Sequence, residues 1–317
     1  MPVGAQGGSF KLRAKVESSE NTAPTGNWDQ LPCFTFGLAG EQEQGQDQIL
    51  SANASRDATD PFYGKTTVSG SARVPLESVH IGKWLKWMLG APTTTGSSPD
   101  YTHVFKSGAA TLPSVAFEKA LPDISAFETY LGGRVNTMEV GISDTGGADA
   151  TFGLLAMQEV LASSTGAGTP VVTAFSRFQR PTGAILLGGS ALAAVTGGTI
   201  RFTNDMVAVD DTIRDDAQIE GIDIGQSAGS GDLTLRFASH DQVNLAVAGT
   251  AVAIEYSLTI AAATSITFTY PRAFLRRTGR PVEGPRGISM SLPFVAAYDT
   301  TAGCLLKVTL LNQVASY

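Results

Sequence analysis

CFTFGLAG (33–40), the polar run EQEQGQDQILSANASRDATDPFYG (41–64), the alternating KTTVSGSARV (65–74) and PLESVHIGKWLKWMLG (75–90) set out an order of elements that this chain repeats. Four strand-like runs follow: THVFKSG (102–108), SVAFEKAL (114–121), VNTMEVGIS (135–143) and ATFGLLAMQ (150–158). From Gly198 the order returns as GTIRFT, an acidic loop NDMVAVDDTIRDDAQIEGIDIG (204–225), GDLTLRFA and a short helix candidate, SHDQVNLAVAG (239–249). AVAIEYSLT, TSITFTYPRAF, GISMSLPFV and LLKVTLLNQ complete it. The separation from Phe34 to Val68 equals that from Ile200 to Thr234, and Val135 to Thr151 equals Ile288 to Cys304. The second passage lacks only APTTTGSSPD (91–100), the insert after the first helix. Two copies of one β unit predict a part built for a symmetric assembly.

The strands alternate cleanly. Val252, Ile254, Tyr256, Leu258 and Ile260 are in phase, as are Ile266, Phe268 and Tyr270, which predicts antiparallel sheets with one packed face. Two such sheets face to face make a β-sandwich or flattened barrel. Phe10, Leu12, Ala14 and Val16 alternate with polar residues and read as an entry strand behind an N-terminal arm. The first unit closes near Ala162, SSTGAGTP (163–170) is a flexible linker, and the second unit occupies 171–317. Pro75 at a first turn, the stripe Val79, Trp84, Leu85 and Met88, and Gly90 with Pro92 beyond predict a helix over Leu76–Leu89. Lys83 and Lys86 sit on its wet side, so the helix is expected outside a sheet layer, with Trp84 and Trp87 packing rather than forming a ligand box.

With 317 residues, 43% hydrophobic and 16% charged, each unit is long enough to bury a core. No apolar run approaches the roughly 20 residues needed to cross a bilayer. The N-terminal stretch shows no apolar secretory segment, which predicts folding in the cytosol. Cys33 and Cys304 are expected as buried free thiols. His80, His103 and His240 have no metal-ligand spacing. A net charge of −7 speaks against ordinary nucleic-acid binding, though not against a surface that nucleic acid slides past.

Catalytic signals are weak, and no catalytic, cofactor or metal residue is assigned. GGSALAAVTGG (188–198) and QSAGSGD (226–232) lack phosphate-loop spacing and read as turns. Asp205, Asp210, Asp211, Asp215, Asp216, Glu220 and Asp223 lack the calcium-loop pattern and read as a solvated or lumen-facing loop. Arg272, Arg276, Arg277, Arg280 and Arg286 cluster in PRAFLRRTGRPVEGPRG (271–287), read as one loop between two strands. There they are expected to meet carboxylates of a neighbouring copy. The candidate contact set is these arginines with Asp210, Asp211, Asp215, Asp216, Glu41, Glu43 and Asp47.

Three stretches resemble the tail tube (major tail) proteins of tailed bacteriophages: TTVSGSARVPLESVHIGKWLKWMLG (66–90), 114–159, and ITFTYPRAFLRRTGRPVEGPRGISMSLPFVAAYDTTAGCLLKVTLLN (266–312). The resemblance implies an all-β fold with short flanking helices. Here that means two tandem tail-tube-like β-sandwich domains, whose inner sheets join round a ring into one barrel. It implies stacked rings as a virion component assembled in the host cytoplasm, without membrane insertion. Tape-measure protein, tail terminator and baseplate proteins are the implied partners, with double-stranded DNA passing through unbound. One domain per chain and six chains per ring is the usual pattern. Two domains per chain predict a ring of three, with six left open. A baseplate or fibre component binding a surface glycan through Trp84 and Trp87 is the alternative. A carboxylate-pair hydrolase stands third.

Overall fold

The computed structural model describes residues 4–47, 49, 57–282, 284–285 and 287–317. The first half of the chain forms β1 (Lys11–Val16), β2 (Asp29–Leu31), β3 (Thr35–Phe36), β4 (Ala39–Gly45), β5 (Phe62–Pro75) and α1 (Ile81–Leu89). It continues with β6 (Thr93–Ser97), β7 (Asp100–Lys106), β8 (Val115–Leu121), β9 (Ala126–Ser143), β10 (Asp149–Ala156) and β11 (Gln158–Ala162). After a 3-10 turn at Arg180–Thr182 come β12 (Gly183–Leu187), β13 (Ser190–Ala191), β14 (Val195–Thr203), β15 (Val207–Val209), β16 (Gly221–Asp223) and β17 (Ala228–Arg236). The chain ends with α2 (Asp241–Ala248), β18 (Val252–Ala261), β19 (Thr264–Leu275), β20 (Ser289–Ala296) and β21 (Lys307–Asn312).

All pairings between these strands are antiparallel, and their order recurs. In the first half β2 pairs β1, β1 pairs β8, β8 pairs β9, and the start of β9 pairs β11. In the second half β13 pairs β12, β12 pairs β18, β18 pairs β19, and the start of β19 pairs β21. The far end of β9 crosses into another layer, β9–β10–β5 with β3 and β4 at its edge. The end of β19 likewise leads to β20, β17 and β14. The two halves are joined twice. β9 pairs β14 from Thr137 to Ser143, and β21 pairs β7 of the β6–β7 hairpin. One apolar cluster runs through both halves, from Leu12 to Leu310.

The pairings realign the two passages of sequence. THVFKSG belongs to the β6–β7 hairpin, which has no counterpart after α2. SVAFEKAL on β8 therefore corresponds to AVAIEYSLT on β18, and ATFGLLAMQ on β10 to GISMSLPFV on β20. The equal separations at Phe34–Val68 and Val135–Thr151 do not mark equivalent residues. The polar run 41–64 is also more regular than a loop, because Glu41–Gly45 and Phe62–Gly64 are paired strand.

The helix begins five residues later than expected and is not outside a layer. Glu77 accepts from the Val79 and Ile81 N–H groups at 2.7 and 2.8 Å, holding 76–80 as a cap rather than a turn of helix. Glu77 and His80 are both buried, 3.3 Å apart. Seven of the nine α1 residues are buried, leaving Lys83 and Lys86 half-exposed. Trp84 stacks on Phe152 of β10 at 4.9 Å and on Phe117 of β8 at 5.8 Å. It therefore sits between the two sheet layers and joins them. By contrast, α2 buries only Val243 and lies on the surface.

The expected linker is strapped down. Arg13, Thr165 and the Gly166 N–H all converge on the fully buried Glu118 carboxylate. Trp28 exchanges backbone bonds with Ala167 and Val171. Residues 171–178 then run along the first half: the Ser78 N–H donates to the Ser176 carbonyl at 2.9 Å, and Phe178 is bonded to Leu76 and Ala148 and fully buried. Such backbone bonding removes the freedom that a Gly/Ser composition otherwise gives.

Candidate functional site: the shared sheet and its two open edges

The β9–β14 joint makes one layer running β4–β5–β10–β9–β14–β17–β20 to the end of β19. Period-2 alternation gives the layer two faces. One face carries Val68, Ala72, Val74, Met138, Val140, Phe152, Ile200, Phe202, Leu233 and Leu292 into the core. The other carries Thr67, Ser69, Ser71, Thr137, Ser289 and Ser291 exposed, with Thr151, Thr199, Ser230 and Thr234 half-exposed. Small hydroxyl side chains on a paired sheet give a smooth polar surface with few protruding groups.

Its charges are mostly paired. Register puts Arg201 of β14 opposite Glu139 of β9. The guanidinium bonds Glu139 at 3.0 Å and Asp232 of β17 at 3.1 Å, so one arginine bridges three strands across the joint. Arg73 on β5 bonds Asp149 at 2.5 Å, and Arg180 holds the other carboxylate oxygen. These pairs were missed in the sequence. The signal was available as single charges at wet positions of VNTMEVGIS, GTIRFT and GDLTLRFA, but only the register shows that they face one another.

Glu41 and Glu43 are exposed on β4, and Asp47 is exposed just beyond it. Asp210, Asp211, Asp215 and Asp216 lie in the connection between β15 and β16, a small separate sheet. Arg214 grips Asp216 and Glu220 at 2.7 and 2.6 Å. Its hydrogen bonds hold the Asp216 carboxyl well below the usual carboxylate range. This connection also leans on the first half. Lys65 of β5 donates to the Asp210 carbonyl at 2.5 Å and to that of Thr212, and the Thr66 N–H donates to Ala217 at 2.9 Å.

The arginines are not in one loop. Arg272 is on β19, over the Phe274 ring. Arg276, Arg277 and Arg280 follow its end, and Arg280 lies over Phe237. Arg286 lies outside the described residues. Among the described residues no ion pair joins these arginines to Glu41, Glu43, Asp47 or the acidic connection. Within one chain the structure brings the two acidic groups towards each other at β5 and leaves the arginines apart. Cys33 is half-buried, Cys304 is buried, and both are free. Among the described residues no three His, Cys, Asp or Glu side chains are placed to hold a metal, and no helix is long and apolar enough to cross a membrane.

The chain is all-β, and among the described residues its shared polar-faced sheet ends in strands with one unpaired side. The family model of the phage tail tube protein matches residues 11–296 in one stretch spanning both halves. The chain belongs to that family, and is a structural component of the virion tail. No curated protein matches it.

Proposed function

We propose that the chain carries two tandem copies of the tube-building unit, at 1–162 and 171–317 with 163–170 between them. Three chains then close a ring of six pseudo-equivalent units, and stacked rings form the tail tube. The observation that carries this reading is the β9–β14 joint, where the first half hands its sheet to the second. Open sheet edges expose unpaired N–H and C=O groups that invite another chain. Head-to-tail joining closes when the rotation divides the circle, and closure removes the edges.

The Ser/Thr face lines the channel, which holds the tape-measure protein during assembly in the host cytoplasm and later passes DNA. Arg73 and Arg201 on that face are engaged by carboxylates, which leaves them little for phosphates. The polar stretches 41–64 and 204–231 make contacts beyond their own unit, with the adjacent ring, and terminator and baseplate proteins close the tube ends. The role is passage, without catalysis. Negative-stain images of concentrated purified chain test this. Hollow rings or tubes are expected, and a chain that stays monomeric overturns it. The glycan-binding alternative loses its platform, because Trp84 and Trp87 are 1% and 2% exposed.

A further inference from the structure

We propose that Arg276–Arg280 is the strand by which one copy of the chain takes up the β4 edge of the next. The register sets Arg276 opposite Gln42, Arg277 opposite Glu41, Thr278 opposite Gly40, Gly279 opposite Ala39 and Arg280 opposite Leu38. The inference rests on the ring reading above and specifies its joint.

The register comes from the joint already made inside the chain. The pairing of β8 with β9 shifts between Val115–Gly133 and Phe117–Tyr130, and that of β18 with β19 makes the same shift between Val252–Ala273 and Ile254–Tyr270. Gly133 and Ala273 are therefore equivalent, and two residues on, Val135 faces Leu154 while Leu275 faces Phe294. Leu154 faces Gly70 of β5, and Phe294 faces Gly231 of β17. Both glycines sit against partner backbone. A Cβ on Gly70 would lie 2.2 Å from the Gly37 carbonyl oxygen, and one on Gly231 would lie 2.3 Å from that of Thr199. That makes Gly37 equivalent to Thr199, and Leu38 to Ile200. Leu38 and Ile200 are both 1% exposed. β9 shifts register between Val135 and Thr137, and the same shift after Leu275 brings Arg280 to the core side, where it lies over Phe237. Since Val140 faces Ile200, its equivalent Arg280 then faces Leu38 of another copy.

Both edges are vacant and shaped for this. Arg276 donates its N–H to Pro293 at 2.8 Å, and the Thr278 hydroxyl donates to the Ser291 carbonyl at 2.5 Å, so the segment already runs beside β20. Its other edge has no backbone partner among the described residues, whereas the same edge of β9 carries β14. Among the described residues β4 pairs only β5, whereas its equivalent β14 has a strand on both sides. Arg276, Arg277, Glu41 and Glu43 are exposed and form no ion pair among the described residues. The register places the two signs together, as it does for Glu139 and Arg201. Pro281 has no N–H to donate and ends the added strand.

Oxidative cross-linking of tubes built from the full-length variant Ala39→Cys/Gly279→Cys tests the register. The expected result is a non-reducing ladder that ends at three linked chains and that neither single variant gives. Arg277→Glu and Glu41→Arg should each raise the critical concentration for assembly about tenfold or more, with unchanged circular dichroism, and the double variant should recover most of it. Tubes that form but give neither cross-linking nor recovery would overturn this register while the ring reading stands. An unmodified chain that never forms rings overturns both.

Discussion

Trp84 shows how single residues hold the layers together. Its ring contacts Phe117 and Phe152 from different sheets and the Trp87 ring at 5.1 Å. A Trp84→Ala change leaves a cavity between layers that cannot collapse without bending a sheet. The expected cost is about 3–5 kcal/mol, read as a lower urea midpoint at unchanged slope. Cys33 gives a second check. Burial pushes its thiol up to about 11, so the fold favours the neutral form. Any stability from this is present below the ordinary thiol range and is lost as pH rises through about 11. Alkylation of the folded chain should be slow near neutral pH and accelerate only toward that value, as mass spectrometry can follow. The packing role of Trp84 was legible from the stripe in WLKWML. Its position between layers was not, since helical periodicity shows which side is apolar but not how many surfaces meet it.

Among elements, the β15–β16 connection owes its position to Lys65, which reaches across from the other half to two carbonyls. Lys65→Met should raise hydrogen exchange at 207–223 and change the unfolding midpoint little, because the lost bonds are at the surface. Gly70→Ala should be the more damaging change, because the new methyl meets backbone that can move only by lifting β3 and β4 off β5. A loss of about 1–3 kcal/mol is expected, together with impaired assembly through the displaced edge. The strands themselves were legible from alternation, and so was the recurrence of their order. Equivalence between the halves was not. An inserted hairpin and matched bulges shift the count, and a β pattern of period 2 fits several registers until pairing fixes one. The buried Glu77 cap was missed because the Pro75 signal places a helix start and says nothing of a carboxylate reaching forward. In PRAFLRRTGRPVEGPRG, Pro and Gly masked the fact that the first residues extend β19.

For the whole molecule, the β passages and the stretches resembling tail tube proteins pointed to a structural part of a phage tail, as the family match bears out. The face proposed to meet a channel became visible only with the fold, because a charge such as Glu139 looks like any solvated residue until Arg201 and Asp232 are found beside it. The central claim is that the shared sheet lines a channel closed by three chains. The most direct measurement is an electron cryo-microscopy reconstruction of tubes assembled from the purified chain. The account predicts three chains per ring, with β5, β9, β14 and β17 facing a hollow bore through their Ser/Thr side. Six chains per ring, or a bore lined by the opposite layer, would contradict it.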